Sequence, residues 1–435
     1  ISSFQAFAMA LGGRIGVGNI AGVAAALYLG GPGAMFWMWM TAILGAPVAL
    51  AESSLAQLYK HKVRGEYRGG PAFYILEGLG RNWRWLAVAY AAATVFATVI
   101  TGPQIQANAV TAATTEAWGW SPLWVGLGMA VIFCLIVFGG MHRLGRTVGL
   151  VVPFMAGAYI LVGLLVVGLM WQQVPAMFGL IFSSALGLDS VYGGILGAAV
   201  AWGVRRAVYS TEIGTGSGAQ ASAAAHVSHP VKQGLAQAFS AYVDTLFVCT
   251  MTGLMILATN SFNVLGPDEE SLLAEHVPGV EEGPAWVQIA IDEALPAFGP
   301  SFVAIAVFLF SFTTLLSFAF YAETNVAYLI PNKTAQRAVI GVEAQRMDQV
   351  QLRAAVGAEA DQVAGVRGNL RLVQREPDHA VSRQAPQFQQ VSKCIGDGSP
   401  QAQVHSAWAW RRRSYRLSRS SAAARSAGLR RLRRG

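Results

Sequence analysis

The chain has 435 residues and a mean hydropathy of +0.44. Only 12% of its residues are charged, whereas a soluble domain usually carries about 25%, so an ordinary soluble domain is excluded. Residues 15–51, 85–115 and 149–188 contain no charge at all. Each stretch exceeds the roughly 20 apolar residues that a membrane helix needs, and each is too long for a barrel strand. The composition therefore predicts an all-α polytopic membrane protein.

Eight spans are predicted within residues 1–330, which form the expected transmembrane core. They cover residues 3–29, 33–58, 84–111, 122–141, 148–171, 177–208, 233–259 and 299–323. The sixth is long enough to be broken.

Lys and Arg occur in alternate loops of this core. The basic loops contain Lys60, Lys62, Arg64, Arg68, Arg81, Arg84, Arg143, Arg146, Arg205, Arg206 and Lys232. The intervening loops 111–121, 172–189 and 260–298 have neither residue type. Because short loops rich in Lys and Arg remain in the cytoplasm, the first span is predicted to run from the cytoplasm outwards.

Glycines interrupt the first span. They are Gly12, Gly13, Gly16, Gly18 and Gly22. Each costs about 1 kcal/mol relative to alanine inside a helix. Close helix packing is one interpretation, but packing glycines usually stand four apart and these are clustered, which favours local unwinding. An unwound stretch offers carbonyls to a cation and N–H groups to a carboxylate, so a solute site is expected here.

Asn19 and Arg14 are polar within this span and are expected to be functional, although Arg14 could instead pair with an acid.

Spans 3 and 6 add polar and glycine features. Gln104, Gln106 and Asn108 lie in an apolar span, where Gln106 or Asn108 faces either a solute or another helix. In span 6, residues 193–197 form a second glycine interruption. Paired interrupted helices indicate the central site of an inverted-repeat carrier.

Other polar residues allow weaker predictions. Glu212 is expected to lie in a cytoplasmic segment, as a cap or a partner of Arg205 or Arg206. Thr313 and Thr314 are suitable oxygen donors for a small cation, but threonines in apolar helices often bond back to their own carbonyls. Asp244 is either a structural acid or part of an inner gate.

Several motifs together resemble one family. Residues 16–24, Gly-Val-Gly-Asn-Ile-Ala-Gly-Val-Ala, and residues 30–39 are similar to the alanine/glycine:cation symporter family, the sodium:alanine symporters. Further matches are residues 69–74, 106–108, 229–234 and 244–250. The resemblance covers about residues 1–330.

The resemblance implies a leucine-transporter-like inverted-repeat fold with discontinuous helices 1 and 6 and a truncated second repeat in this chain. It implies sodium-coupled, sometimes proton-coupled, symport of alanine or glycine across the plasma membrane by alternating access, without an organic cofactor. The implied substrate-binding residues are Val17, Gly18, Asn19, Gln106, Gly193, Gly194, Ile195 and Gly197. The implied sodium ligands are the carbonyls of Gly12 and Ile15 and the hydroxyls of Thr313 and Thr314.

Two features depart from the family pattern. The family's Ser-Asn-Glu-Ala-Gly reads Ser-Thr-Glu-Ile-Gly at residues 210–214. Residues 331–435 are basic and poor in aromatics, which predicts a disordered or non-native cytoplasmic tail. One hypothesis is a gene product truncated at its start and shifted out of frame near Pro331. The alternative function is then a non-transporting membrane fragment. An enzyme ranks below both, because no nucleophile–base pair or metal-ligand set stands out, and no nucleic-acid partner is expected.

Overall fold

A computed structural model describes residues 1–63, 65–268, 271–330 and 341–342 of the chain. The predictions for residues 331–435 therefore lie outside the described residues, apart from two positions. The described part is predominantly helical, with two short antiparallel hairpins.

The helices follow one another along the chain, and the two longest connections contain the hairpins. They are α1 (Ser3–Arg14), α2 (Ala21–Gly30), α3 (Ala34–Leu58), α4 (Pro71–Leu79), α5 (Arg84–Phe96), α6 (Gly102–Trp118), α7 (Pro122–Val137), α8 (Met141–Leu169), α9 (Val174–Ala185), α10 (Leu196–Thr211), α11 (Ser217–Ala223), α12 (Pro230–Tyr242), α13 (Thr250–Ala258), α14 (Pro284–Ala294) and α15 (Gly299–Leu329). The hairpins pair β1 (His61–Val63) with β2 (Glu66–Arg68), in the register His61 to Arg68, and β3 (Asn263–Leu265) with β4 (Leu272–Glu275).

Five helical stretches of the described chain are long and apolar enough to cross a bilayer. They are Ala34–Leu58, Arg81–Trp118, His142–Leu169, Pro230–Ala258 and Gly299–Leu329. The other three predicted spans exist as shorter pieces. The first is divided into α1 and α2, the fourth is the 16-residue α7, and the sixth, predicted at 177–208, is divided into α9 and α10.

Two helices are broken inside the buried bundle. Between α1 and α2, residues Val17–Asn19 form a single 3₁₀ turn. Between α10 and α11, Glu212, Gly214 and Gly216 all have positive φ, at 50°, 78° and 83°. A side chain on Gly216 would also collide with Pro71, so this position requires glycine on both counts.

The glycine interruption predicted at residues 193–197 falls where the structure divides the sixth predicted span. A 3₁₀ turn, Gly193–Ile195, lies there between α9 and the N-terminus of α10. The break between α10 and α11 lies further along, at residues 212–216, which were predicted to form a cytoplasmic segment, although the flanking Thr211 and Ser217 are buried. The break at residues 212–216 was not predicted, because its left-handed backbone includes the polar residue Glu212 as well as two glycines.

Two π-helical segments interrupt other spans. One, Ala97–Thr101, joins α5 to α6, and the other, Val243–Cys249, joins α12 to α13. A π-helical segment widens the turn and re-aims the side chains on it, and such segments often lie at functional sites. The second one brings Asp244 into the protein interior, where its side chain is fully buried.

Helix packing places α3 against α10, α11 and α12, and α1 against α8 and α15. Small residues allow these close approaches, as is typical of membrane helices. A Cβ on Gly203 of α10 would lie 2.6 Å from the carbonyl oxygen of Ala34. A Cβ on Gly234 of α12 would lie 2.7 Å from the carbonyl oxygen of Leu50.

The contact at Gly234 generates a stability prediction. Gly234→Ala forces α12 away from α3, and overpacking of this kind costs about 1–3 kcal/mol. We expect a lower melting temperature in detergent, measured by fluorescence-detected size exclusion after heating. Gly168→Ala on α8 is the matched control, because its added Cβ meets no atom within 4 Å. A melting temperature for Gly234→Ala at or above that of the control would contradict the packing.

Candidate functional site

We call α1 and α2 together helix 1, and side chains replace the missing helical hydrogen bonds at the break between them. The Gly16 N–H donates to Asn19 Oδ1 at 2.9 Å. The Val17 N–H donates to Gln106 Oε1, on α6, at 3.2 Å. Both N–H groups lie in the protein interior, where an unpaired donor would be costly. The side-chain amides of Asn19 and Gln106 therefore stabilise the broken backbone.

Asn19 connects this break to two other elements. Its Nδ2 donates to Asp244 Oδ1 at 2.6 Å. The other carboxylate oxygen, Asp244 Oδ2, accepts hydrogen bonds from Ser210 Oγ and Thr245 Oγ1, each at 2.9 Å. One buried carboxylate thus joins helix 1, the end of α10 and the π-helical segment. Asp244 therefore lies at the break of helix 1.

Backbone carbonyls converge beside the break on one hydroxyl of α15. Thr314 Oγ1 lies 3.0 Å from the oxygens of Gly12 and Phe310, 3.4 Å from that of Ile15 and 3.5 Å from that of Gly13. A hydroxyl has one proton and can satisfy one of these acceptors at a time. More carbonyl oxygens therefore converge here than the hydroxyl proton can satisfy. Such a group of neutral oxygens suits a small hard cation, which all of them could coordinate. We call these five oxygens the carbonyl cluster.

The carbonyl cluster contains three of the four predicted sodium ligands, namely Gly12, Ile15 and Thr314. The hydroxyl of Thr313 instead donates to the Phe310 carbonyl at 3.1 Å and lies 3.5 Å from Met155 Sδ of α8. The Phe310 carbonyl was not among the predicted ligands; it lies one turn before Thr314 within α15, so its contact with Thr314 Oγ1 is the back-bond that threonines often make in helices.

Four of the predicted substrate-binding residues also come together. Val17, Gly18, Asn19 and Gln106 surround the break of helix 1. A Cβ on Gly16 would lie 2.6 Å from Thr314 Oγ1 and 3.3 Å from Gln106 Nε2, so the Gln106 amide lies beside the carbonyl cluster.

The remaining four predicted substrate-binding residues lie elsewhere. Ile195 packs against Gly31, where a Cβ would be 3.1 Å from Ile195 Cδ1. Gly31 follows the 10-residue α2, which places it about 15 Å from the break. Gly194 and Gly197 are exposed, and Gly193 lies beside the Gly187 backbone. The structure does not bring residues 193–197 to the break.

A cavity of about 700 Å³ lies between α6, α7 and α15. Its lining includes Trp118, Trp120 and Trp124 and contains no charged side chain. It provides no partner for a charged solute, so the two broken helices remain the candidate site.

Comparisons with known proteins agree with this geometry. A profile described as the sodium:alanine symporter family matches residues 1–353. The chain belongs to the sodium:alanine symporter family. It is therefore an integral membrane transporter for amino-acid:cation symport and not an enzyme.

Individual relatives cover most of the chain. YrbD of Bacillus subtilis is 49% identical over 343 residues, which are 79% of this chain and 70% of that protein. The sodium/proton-dependent alanine carrier protein of Bacillus sp. strain PS3 is 43% identical over 330 residues, 76% of this chain and 74% of that protein. The sodium/alanine symporter AgcS of Methanococcus maripaludis is 37% identical over 338 residues, 77% of this chain and 72% of that protein.

A solved structure establishes the fold. The crystal structure of MhsT in complex with L-phenylalanine aligns with a TM-score of 0.55, over 82% of this chain and 80% of that one, at 17% identity. MhsT has the leucine-transporter fold, so the predicted fold class is confirmed. The truncation of the second repeat stays a prediction.

The break of helix 1 generates a test with a matched control. Gly16→Ala should abolish amino-acid uptake into vesicles, because its Cβ would occupy the space between Thr314 and Gln106. Gly22→Ala, six residues along in α2, should retain uptake, because its Cβ meets no atom within 4 Å. Normal uptake by Gly16→Ala at an equal amount of inserted protein would show that this break is not part of the site.

Proposed function

We propose that the chain imports a small neutral amino acid, alanine or glycine, together with sodium across the cell membrane by alternating access. The carbonyl cluster beside the break of helix 1 carries the proposal. Its oxygens suit a cation, and they lie next to backbone groups that suit an amino acid. An amino acid and a cation bound side by side are what a symporter must hold together.

The chemistry of the carbonyl cluster favours sodium as its cation. All five oxygens are neutral, from four carbonyls and one hydroxyl. Divalent cations usually recruit carboxylates, whereas these dipoles match a single positive charge. A proton needs a titratable acceptor, and the carbonyl cluster has none.

Two helix ends provide complementary charge for the amino acid. The N-terminus of α2, which begins at Ala21, carries partial positive charge and suits the carboxylate. The C-terminus of α10 at Thr211 carries partial negative charge and suits the ammonium group. The two ends are adjacent, since a Cβ on Gly18 would lie 3.6 Å from the Ser210 Cα.

The same contact favours small substrates. A Cβ on Gly18 would also lie 3.2 Å from the ring of Tyr209, so helix 1 and α10 are tightly packed beside the break. Alanine, whose side chain is one methyl group, and glycine, which has no side-chain carbon, need little additional space. The relatives from Bacillus sp. strain PS3 and Methanococcus maripaludis are named for alanine, which supports the same substrate class.

The distribution of basic residues supports the orientation. Apart from Arg14, the Lys and Arg residues of positions 1–330 lie in alternate loops or in the helix ends that flank these loops, and we assign them to the cytoplasmic side. With this orientation α1 runs outwards from the cytoplasm and α10 runs inwards. The two broken helices are then antiparallel, as expected for related elements of inverted repeats.

Uptake by purified protein in liposomes tests the proposed function. An inward sodium gradient should drive accumulation of labelled alanine above the level in protein-free liposomes, with sodium and pH gradients imposed separately. Excess unlabelled glycine should compete, and phenylalanine should not. Absence of alanine accumulation under either gradient would contradict the proposal and would favour a non-transporting membrane fragment.

The two threonines of α15 provide a sharper test of the cation site. Thr314→Ala removes the hydroxyl at the centre of the carbonyl cluster and should raise the sodium concentration for half-maximal uptake about tenfold, a loss of about 1.4 kcal/mol. Thr313→Ala is the neighbouring control and should change it less, because that hydroxyl contacts Met155. Equal effects of the two substitutions would contradict the assignment of Thr314 alone.

A further inference from the structure

The cavity between α6, α7 and α15 lies outside the candidate transport site. Its volume of about 700 Å³ is in the range of ligand pockets and far above the space that one water molecule needs. An unfilled space of this size deprives the surrounding side chains of the dispersion contacts that packed helices make. We call it the lateral cavity, and its size implies an occupant.

The lateral cavity opens sideways, onto the surface that the bilayer covers. Its lining residues Ile132 and Ile305 are 43% and 49% exposed, and Gly128 is exposed as well. The exposed face of α7 continues beyond the cavity with Leu135 and Phe138, which are more than half exposed. Because the chain is an integral membrane protein, lipid covers these apolar side chains. The cavity is therefore continuous with the lipid-covered surface.

The inner wall of the lateral cavity offers little to water. The Thr114 hydroxyl donates to the Val110 carbonyl of its own helix at 2.8 Å. The indole N–H of Trp118 donates to Ser301 Oγ at 3.1 Å. A buried water needs two to four polar partners, and these two polar groups already have one each within the protein. The wall therefore favours an apolar occupant.

The length of the lateral cavity matches one leaflet of a bilayer. Its lining follows α7 from Ser121, just before the first turn, to Ile132. At 1.5 Å per residue this distance is about 17 Å. The hydrocarbon core of a bilayer is about 30 Å thick, so one leaflet contributes about 15 Å. An acyl chain that lies along α7 has the depth that the cavity provides.

Tryptophans surround the end of the cavity that lies nearest the loop between α6 and α7. Trp120 and Trp124 line this end and are 56% and 70% exposed. The Trp120 ring contacts that of Trp118 with centroids 4.6 Å apart, and its carbonyl accepts from the Thr115 hydroxyl at 3.1 Å. Tryptophan is enriched at the membrane–water interface, where its N–H donates to polar groups at headgroup level. The tryptophans therefore place this end of the cavity at the headgroups.

The charges on this side of the protein favour one class of headgroup. Residues 111–121 and 260–298 contain no Lys or Arg, and the first segment contains Glu116. An anionic headgroup finds no basic partner here, whereas the ammonium group of a zwitterionic lipid meets a negative potential.

We infer that the lateral cavity binds one acyl chain of a zwitterionic phospholipid with an ammonium headgroup, such as phosphatidylethanolamine, from the outer leaflet. The outer leaflet follows from the proposed orientation, whereas the binding of an acyl chain does not depend on the transported solute. Lipid tails are as apolar as the wall of the cavity, so moving a tail from the bilayer into it brings no hydrophobic gain. Packing in the cavity and the headgroup contact therefore determine which lipid is bound.

Photo-cross-linking in a bilayer tests the inference. The purified protein is placed in phosphatidylcholine nanodiscs that contain a small fraction of phosphatidylethanolamine with a diazirine on its acyl chain. Illumination followed by peptide mass spectrometry should show label on Ile305 and Phe308, which form the α15 wall of the cavity. Label confined to outward-facing residues such as Leu135, with none on the α15 wall, would overturn the proposal.

A cavity-filling variant separates the lateral cavity from the general lipid surface. Gly128→Phe should lose most of the α15 label, because its Cβ meets no atom within 4 Å and its ring enters the cavity. Gly168→Phe, at an exposed and equally open position on α8, is the matched control and should retain the label. Undiminished labelling of α15 in Gly128→Phe would contradict the proposal.

Headgroup competition in the wild type keeps the proposal testable if Gly128→Phe fails to fold. Unlabelled phosphatidylethanolamine should suppress the α15 label at a lower concentration than phosphatidylglycerol with the same acyl chains. Equal or stronger competition by phosphatidylglycerol would overturn the assignment of the lipid. All labelling is done without amino acid or sodium. A failure of uptake in liposomes therefore counts against the proposed function and leaves this measurement valid.

Discussion

Breaking a helix inside a membrane protein is tolerated only when each freed backbone group finds a partner, because no bulk water is present to solvate it. At the break of helix 1, Asn19 and Gln106 accept from the freed N–H groups, and Thr314 lies among the freed carbonyls. These partners come from helix 1 itself, from α6 and from α15. The same requirement that keeps the break stable therefore places ligands from several helices around one point.

The second break meets the requirement differently. Left-handed backbone at Glu212, Gly214 and Gly216 reverses the chain locally, and the buried carboxyl of Glu52 faces the resulting N–H groups. Asp244 then joins both broken helices through Asn19 and Ser210. A rearrangement of either broken helix must change the bonds of this carboxylate, so the two breaks are expected to move together.

Much of the fold could be predicted from the sequence, because apolar length and loop charge directly reflect the bilayer. The first break was predictable too, since its glycines are clustered. The break at residues 212–216 was missed because it includes Glu212, a polar residue typical of loops, whereas the conspicuous glycines at 193–197 mark the separate junction between α9 and α10. Thr313 and Thr314 could not be told apart, because adjacent residues point about 100° apart around a helix and only packing shows which one faces helix 1.

The central claim is that cation and amino acid bind side by side at the break of helix 1 and therefore stabilise each other. Equilibrium binding of labelled alanine to purified protein, measured across a series of sodium concentrations at constant ionic strength with potassium as the replacement ion, tests it most directly. Sodium is expected to tighten alanine binding by about 5–150-fold, with an equal reciprocal effect of alanine on sodium binding. An alanine affinity that is the same in sodium and in potassium would contradict it.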